Sequence, residues 1–497
     1  MTATTHDEET PLLPEQRKKV MTPLPWGQFT ILLILQLAEP FTSQVINPFA
    51  PQLVRDVGIT HGDETKVGFY VGLMQSIFFA TQALTVLHWS RLSDHLGRKP
   101  IIMIGLFGLS LSMYSFGMSK TFWGAVLSRS LNGALNGNIG VLKSMVADIT
   151  DSSNIAYAYS YLPISWSTGQ AIGPAVGGYF SNPTEQFPDI FGHVAFLKEY
   201  PYFLACAIPA TFSAIAFLVT WVYLKETVRS RTSISRYFSM RTSDANLTLE
   251  NAASGQDNRV GPAGASGDVD KANAQAQEKP LPLKDLLTWR VLIAAVNYAS
   301  LALTDIAIRS VQPVFYSTPI ALGGLSLPPY QIGRILSVFG ILNGFVQIFG
   351  FARFHNRFGT RRVYIWGIAS ALPVVLSFPI INFLAKAEGG HSLAVWAAVG
   401  VQLVMSIFIN FSYGCNFIFI TAAAPNKASL GTVNGFAQVG VSVMRTVGPA
   451  LANSLFSLSI DEKHHYLNGN LVYVVLAGLV CSSLICADYL PKDEESS

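Results

Sequence analysis

Twelve stretches of this chain are apolar over about 20 residues each, the length a helix needs to cross the hydrocarbon layer. That single feature constrains the fold more than any other. Within lipid, only a helix or a closed barrel satisfies every backbone polar group, and runs this long and unalternating are helical. The stretches lie at 27–50, 66–88, 100–119, 122–147, 155–181 and 200–224, then at 289–317, 330–352, 362–384, 392–422, 428–458 and 468–489. Of these, 289–317 is the least regular. Composition agrees, because only 13% of residues are Asp, Glu, Lys or Arg, against about 25% in a water-soluble protein. The expected fold is an all-α membrane protein of twelve transmembrane helices in two six-helix bundles.

The stretch 227–286 is rich in Ser, Ala, Asn, Gly and charge, and reads as a disordered cytosolic linker. It divides the chain into a cytosolic tail at 1–25, a first bundle at 26–226, a second at 287–490 and a short tail at 491–497. Orientation follows from the basic residues. With the N-terminus inside, Arg17, Lys18, Lys19, Arg91, Arg98, Lys99, Arg353, Arg357, Arg361, Arg362, Lys427 and Lys492 are cytosolic. The opposite side holds Arg55, Lys66, Lys120, Lys198, Lys386 and Lys463, so both termini are expected in the cytosol. The first 25 residues are polar, unlike a cleavable signal peptide. The sequon at Asn246 falls in the linker and that at Asn410 in a span, so neither is expected to carry glycan.

Several function classes fall away. A net charge of +3 without a basic face gives no footprint for nucleic acid. Cys206, Cys415, Cys481 and Cys486 form no CxxC pair and read as thiols in or beside apolar segments. His464-His465 lacks a third ligand for a metal site. With no P-loop, nucleophile elbow or metal-binding helix, neither an enzyme nor a cofactor is implied.

The two halves repeat one another. Arg91-Leu-Ser-Asp94-His-Leu-Gly97-Arg98-Lys99 follows the second span, and Arg353-Phe-His-Asn356-Arg-Phe-Gly359-Thr-Arg361 follows the eighth. Gly173-Pro174-Ala175 in the fifth recurs as Gly448-Pro449-Ala450 in the eleventh. Repeated halves mark transporter architecture, with the solute site between repeats near mid-membrane.

The motifs narrow this. Ser90 to Lys99 resembles the loop motif G-x-L-x-D-R-x-G-R-K of the major facilitator superfamily; Asp94, Gly97, Arg98 and Lys99 match, while Ser90 and His95 depart. Such a charge cluster either latches the halves in one state or only fixes topology. Gly169-Gln-Ala-Ile-Gly173-Pro174-Ala-Val-Gly177-Gly178 resembles the fifth-helix motif of drug–proton antiporters, G-x-x-x-G-P-x-x-G-G. That likeness implies a seam sealing the halves and export by antiport; plain helix packing through small residues is the alternative. Arg129 and Gly133 are similar to the family's buried-arginine motif, which implies a carboxylate nearby on the first helix. Glu39 is the candidate proton carrier, tuned by Arg129; the competing role is capping backbone loosened by Pro40. Ala38-Glu39-Pro40, Asn47-Pro48-Phe49 and Asn136-Gly137-Asn138-Ile139-Gly140-Val141 resemble the zinc-induced-facilitator-like branch and its fungal relatives.

Other polar residues sit inside spans, where charge is costly and therefore meaningful. Asp305 and Arg309, four apart, share a helical face as an ion pair or as a second coupling site. Arg445 and Lys143 are weaker candidates, Lys143 having the option of snorkelling to the membrane edge. Gln36, Asn138, Gln170, Asn343 and Asn410 line a cavity or bond between helices. The expected function is antiport of a small organic solute (a drug, secondary metabolite or chelator) against protons, by a monomer in a lipid bilayer. A nutrient uniporter or symporter and a non-transporting sensor are the rivals. Glu8-Glu-Thr-Pro-Leu12-Leu13 matches an acidic dileucine sorting pattern, leaving plasma and vacuolar membranes both open.

Overall fold

The computed structural model describes residues 22–227, 287–425, 430–461 and 466–491, apart from Ser152. The dileucine tail, the linker with Asn246, and Lys427, Lys463, His464, His465 and Lys492 lie outside the described residues. Twelve helical rods of membrane length follow in order. The first is Trp26–Gln44, continued after a turn by Ala50–Asp56. The second to sixth are Val67–Leu96, Arg98–Gly117, Phe122–Leu135 with Asn138–Ile149, Ile155–Phe180 and Phe203–Tyr223. The seventh to ninth are Trp289–Ser317, Pro329–Phe349 with Phe351–Phe358, and Thr360–Ala369 with Ala371–Ala387. Leu393–Ala423, Leu430–Ser459 and Leu471–Asp488 complete the set.

Two expectations change. The seventh span is a single unbroken 29-residue helix, started by Thr288, whose hydroxyl accepts from the Val291 amide. The fourth is not continuous: it breaks at Asn136–Gly137, where Asn136 leaves the helical region with a ψ of 65°. Among the described residues, eight rods are long and apolar enough to span on that criterion alone. The other four are the first, fourth, fifth and eleventh. These carry Glu39, Arg129, Pro174 and Arg445, four of the residues the sequence singles out.

Large apolar side chains face outward, among them Leu84, Trp123, Phe383 and Leu393, as lipid requires. Inside each half, the first span packs on the fifth, the second on the fourth, the third on the sixth, and the seventh on the eleventh. The halves meet along two seams, the second span on the eleventh and the fifth on the eighth. Glycine permits the second seam. A Cβ at Gly178 would stand 2.8 Å from the Pro329 carbonyl oxygen and 2.9 Å from the Gly333 Cα. The repeat is also visible in the backbone, because Gly97 (φ 110°) and Gly359 (φ 79°) turn the chain in the left-handed region at matching places.

Thr22 and Pro491 lie at the same end of the bundle, here the termini side. Among the described residues, hydrogen bonds between the halves lie at mid-depth or toward the opposite, far side. Arg55 donates to the Ser317 hydroxyl at 2.6 Å and its carbonyl at 3.0 Å while pairing with Glu64 at 2.8 Å. The Phe69 amide donates to Ser457 and the Ala450 amide to Ser76, both at 2.9 Å. Asn343 donates to Gln170 at 3.4 Å, deeper in the bundle.

Candidate functional site

Glu39 lies mid-way along the first span, one residue before Pro40, and is 7% exposed. Proline at 40 removes one helical donor, freeing the Gln36 carbonyl. The Glu39 carboxylate accepts from Gln82 of the second span at 3.3 Å. Asn136, at the break in the fourth span, stands beside it. The cations whose charge reaches Glu39 are Arg445 of the eleventh span and Lys143 of the fourth. Three rods and both halves therefore converge on one carboxylate.

Arg129 is not among its partners. The guanidinium is 4% exposed, lies 4.5 Å from the centroid of the Phe78 ring, and leaves Nε and Nη1 without a hydrogen-bond partner among the described residues. The reason is axial position. Arg129 precedes Asn136 by seven residues, about 10 Å of helix rise toward the far side. The sequence places both groups on inner faces but cannot say which cation meets which carboxylate.

In the second half, Arg309 donates to Asp305 at 2.6 Å and to Asn410 at 3.0 Å, and lies over the Phe339 ring. Tyr413 donates to the other Asp305 oxygen at 3.0 Å and also meets Arg445. Asn410 donates to Asn343 at 2.7 Å, and Asn343 reaches Gln170 of the first half. The pair Asp305–Arg309 thus heads a chain of polar side chains that crosses the interface. Beside it is a cavity of about 30 Å³ walled by Gln44, Gln170, Pro174, Arg309, Gln312 and Phe339. That is room for water and too little for an organic solute. Nearer Glu39, Gln36 Oε1 and Asn138 Oδ1 are buried without hydrogen-bond partners among the described residues.

The fifth-span glycines divide between two neighbours. Gly169, Gly173 and Gly177 pack on Pro40, Gln44 and Val45 of the first span, within the same half. Gly178 and the Pro174 carbonyl instead touch Gly333 of the eighth span, across the halves. Pro174 and Pro449 each free the carbonyl four residues earlier, which belongs to Gln170 in one half and Arg445 in the other.

At the termini side, the Asp94 side chain lies outside what is described. Arg98 donates to Asp148 at 3.3 Å and to Ser93 at 2.9 Å. Lys99 donates to the Trp221 carbonyl at 2.8 Å. The Arg98 and Lys99 amides donate to the Glu226 carboxylate at 2.9 and 3.2 Å, an anion at a helix N-terminus. These partners all belong to the first half. Sequence reading missed Glu226, although a signal existed: it stands 129 residues after Gly97, as Asp488 stands 129 after Gly359. Asp488 accepts from the Arg361 guanidinium at 3.4 Å, so the matching acid of the second half is held by a side chain and not by backbone amides.

Residues 32–449 match the profile of the Major Facilitator Superfamily. The chain is 27% identical to Protein ZINC INDUCED FACILITATOR 1 of Arabidopsis thaliana, over 90% of this chain and 87% of that one. It is 26% identical to the major facilitator superfamily multidrug transporter mfsB of Aspergillus fumigatus, covering 92% of this chain and 82% of the relative. Both agree with the branch the motifs resemble. Among solved structures, the crystal structure of a D-xylose–proton symporter superposes with a TM-score of 0.65 at 12% identity, covering 96% of this chain and 100% of that one. That likeness is one of fold.

Proposed function

Given that the chain belongs to the Major Facilitator Superfamily, and so is a multi-pass membrane transporter and not an enzyme, we propose that it exports a small organic solute from the cytosol in exchange for protons. The observation that carries this reading is Glu39, a buried carboxylate at the meeting of the halves, faced by a cation from each. An intramembrane carboxylate that switches between a proton and other partners is a means of coupling. The similarity to a multidrug transporter supports an organic solute.

The basic residues Arg91, Arg98, Lys99, Arg353, Arg357, Arg361 and Arg362 crowd the termini side, which we take as cytosolic. The halves are then sealed toward the outside, and the solute enters from the cytosol. Parting of the Gly178–Gly333 contact would open the far side, and Arg98 with Asp94 would exchange its partners within the half for the opposing half. The membrane is the plasma or vacuolar membrane and the unit a monomer.

The test is Glu39→Gln in proteoliposomes. Uphill, pH-driven solute movement falls at least about tenfold, while solute–solute exchange continues. Undiminished pH-driven movement would remove Glu39 from the mechanism. Accumulation that follows proton flow rather than opposing it would replace antiport by symport.

A further inference from the structure

Charge around the contact of the halves does not balance. Arg129, Lys143, Arg309 and Arg445 are there, against Glu39 and Asp305 only; Arg334, on the eighth span, is exposed near the far-side end. Asp305 is spent on Arg309 and Tyr413. Arg129 lies apart on Phe78. This leaves Lys143 and Arg445, each within reach of the other's charge and of Glu39. Among the described residues neither cation has a salt bridge, and one carboxylate cannot neutralise both. Uncompensated cations at membrane depth are costly and mark sites completed by an anion. Access is provided as well: Lys143 is exposed, on the termini side of the break in the fourth span, while Arg445 is half-buried beside Tyr413. Arg445 hangs on the second half and Lys143 on the first, so an anion between them touches both moving bodies.

We propose that Lys143 and Arg445 form a clamp, one jaw on each half, for an acidic group of the transported solute. Arg445 supplies a planar, forked donor suited to carboxylate or phosphate, and Lys143 a mobile point charge. The inference rests on reading the surroundings of Glu39 as the solute site, and it specifies the solute. An acid alone would draw the cations away from Glu39, favour the protonated carboxyl, and travel with the proton. Exchange against protons therefore needs a solute that also brings a basic nitrogen to Glu39. The site selects molecules bearing both an acidic group and a cationic centre.

The probes are rhodamine B, a cationic ring system with a free carboxylate, and its ethyl ester, which keeps the ring and loses the acid. Binding to the full-length protein in lipid nanodiscs is followed by fluorescence anisotropy. Rhodamine B should bind at least about tenfold more tightly than the ester. Lys143→Gln and Arg445→Gln should each reduce that ratio below about threefold while saturable binding of the ester persists, which also shows that the variants are folded. Lys143→Arg should restore it. Equal affinities in the wild type, a ratio that survives both substitutions, or no saturable binding of rhodamine B overturns the clamp. Because the measurement uses no gradient, its failure alongside a Glu39-dependent pH-driven flux would remove the clamp and leave the antiport reading standing.

Discussion

Gly178 has backbone from the opposing half where a side chain would begin, and Gly333 reciprocates. Replacing Gly178 with Val drives atoms into the Pro329 carbonyl, a strain of about 1–3 kcal/mol in a packed interface. Because only the far-side-closed state contains this contact, the substitution should shift the population toward the far-side-open state by roughly fivefold to a hundredfold. Spin-label distances across the far-side ends of the fifth and eighth spans read this directly, and an unchanged distribution would refute it. Individual residues were partly legible in advance. Four-residue spacing put Asp305 and Arg309 on one face, where they do pair. The partnership of Glu39 was not legible, because periodicity gives the inner face of a helix but not its axial shift against a neighbour. That shift separates Arg129 from Asn136, and it brings Lys143 and Arg445, weaker candidates by sequence, to the carboxylate.

Helix ends carry much of the control. Gly97 joins the second and third spans at φ 110°, and Glu226 caps the turn that follows. Gly97→Ala should cost about 1–2 kcal/mol from the left-handed backbone alone, read as a lower melting temperature of the purified protein. At the far side, Arg55→Ala deletes two donors to Ser317, each worth about 1.5–3 kcal/mol for a charged group. Labels at the ends of the first and seventh spans should then separate; labels that stay together would exclude a lock. A third joint ties Thr22 to the loop after the fourth span through Asp151, Ser153 and Asn154. Hydrogen bonds from Ser153 and then Thr22 hold the Asp151 carboxyl down at about 2. A depressed carboxylate stabilises the fold above its unfolded value and is lost only as pH falls through the folded one. Asp151→Asn should therefore leave the shape of the transport pH profile unchanged between about pH 5 and pH 8. Spans were the most legible elements, since length and apolarity define eight of them on their own. The break at Asn136–Gly137 was hidden because Gly is tolerated within a helix and marks no break by itself.

Across the whole molecule, the repeat was readable from two motif pairs, and Gly97 with Gly359 shows it in the backbone. The conformation was not readable, because one sequence supports both ends of a rocking cycle and contacts decide which is closed. If residues 228–286 serve only to join the halves, replacing them by a Gly-Ser chain of equal length should leave flux within about twofold; abolished flux would favour the sensor reading. The halves also differ where they are most alike. Four residues before the repeated proline, one half carries neutral Gln170 and the other cationic Arg445. If the halves rock as proposed, any movement of Arg445 along the membrane normal carries charge through the bilayer, a full crossing being worth about 2.3 kcal/mol per 100 mV. Membrane voltage would then act on the cycle, and a voltage step should evoke a transient current even when no solute is present.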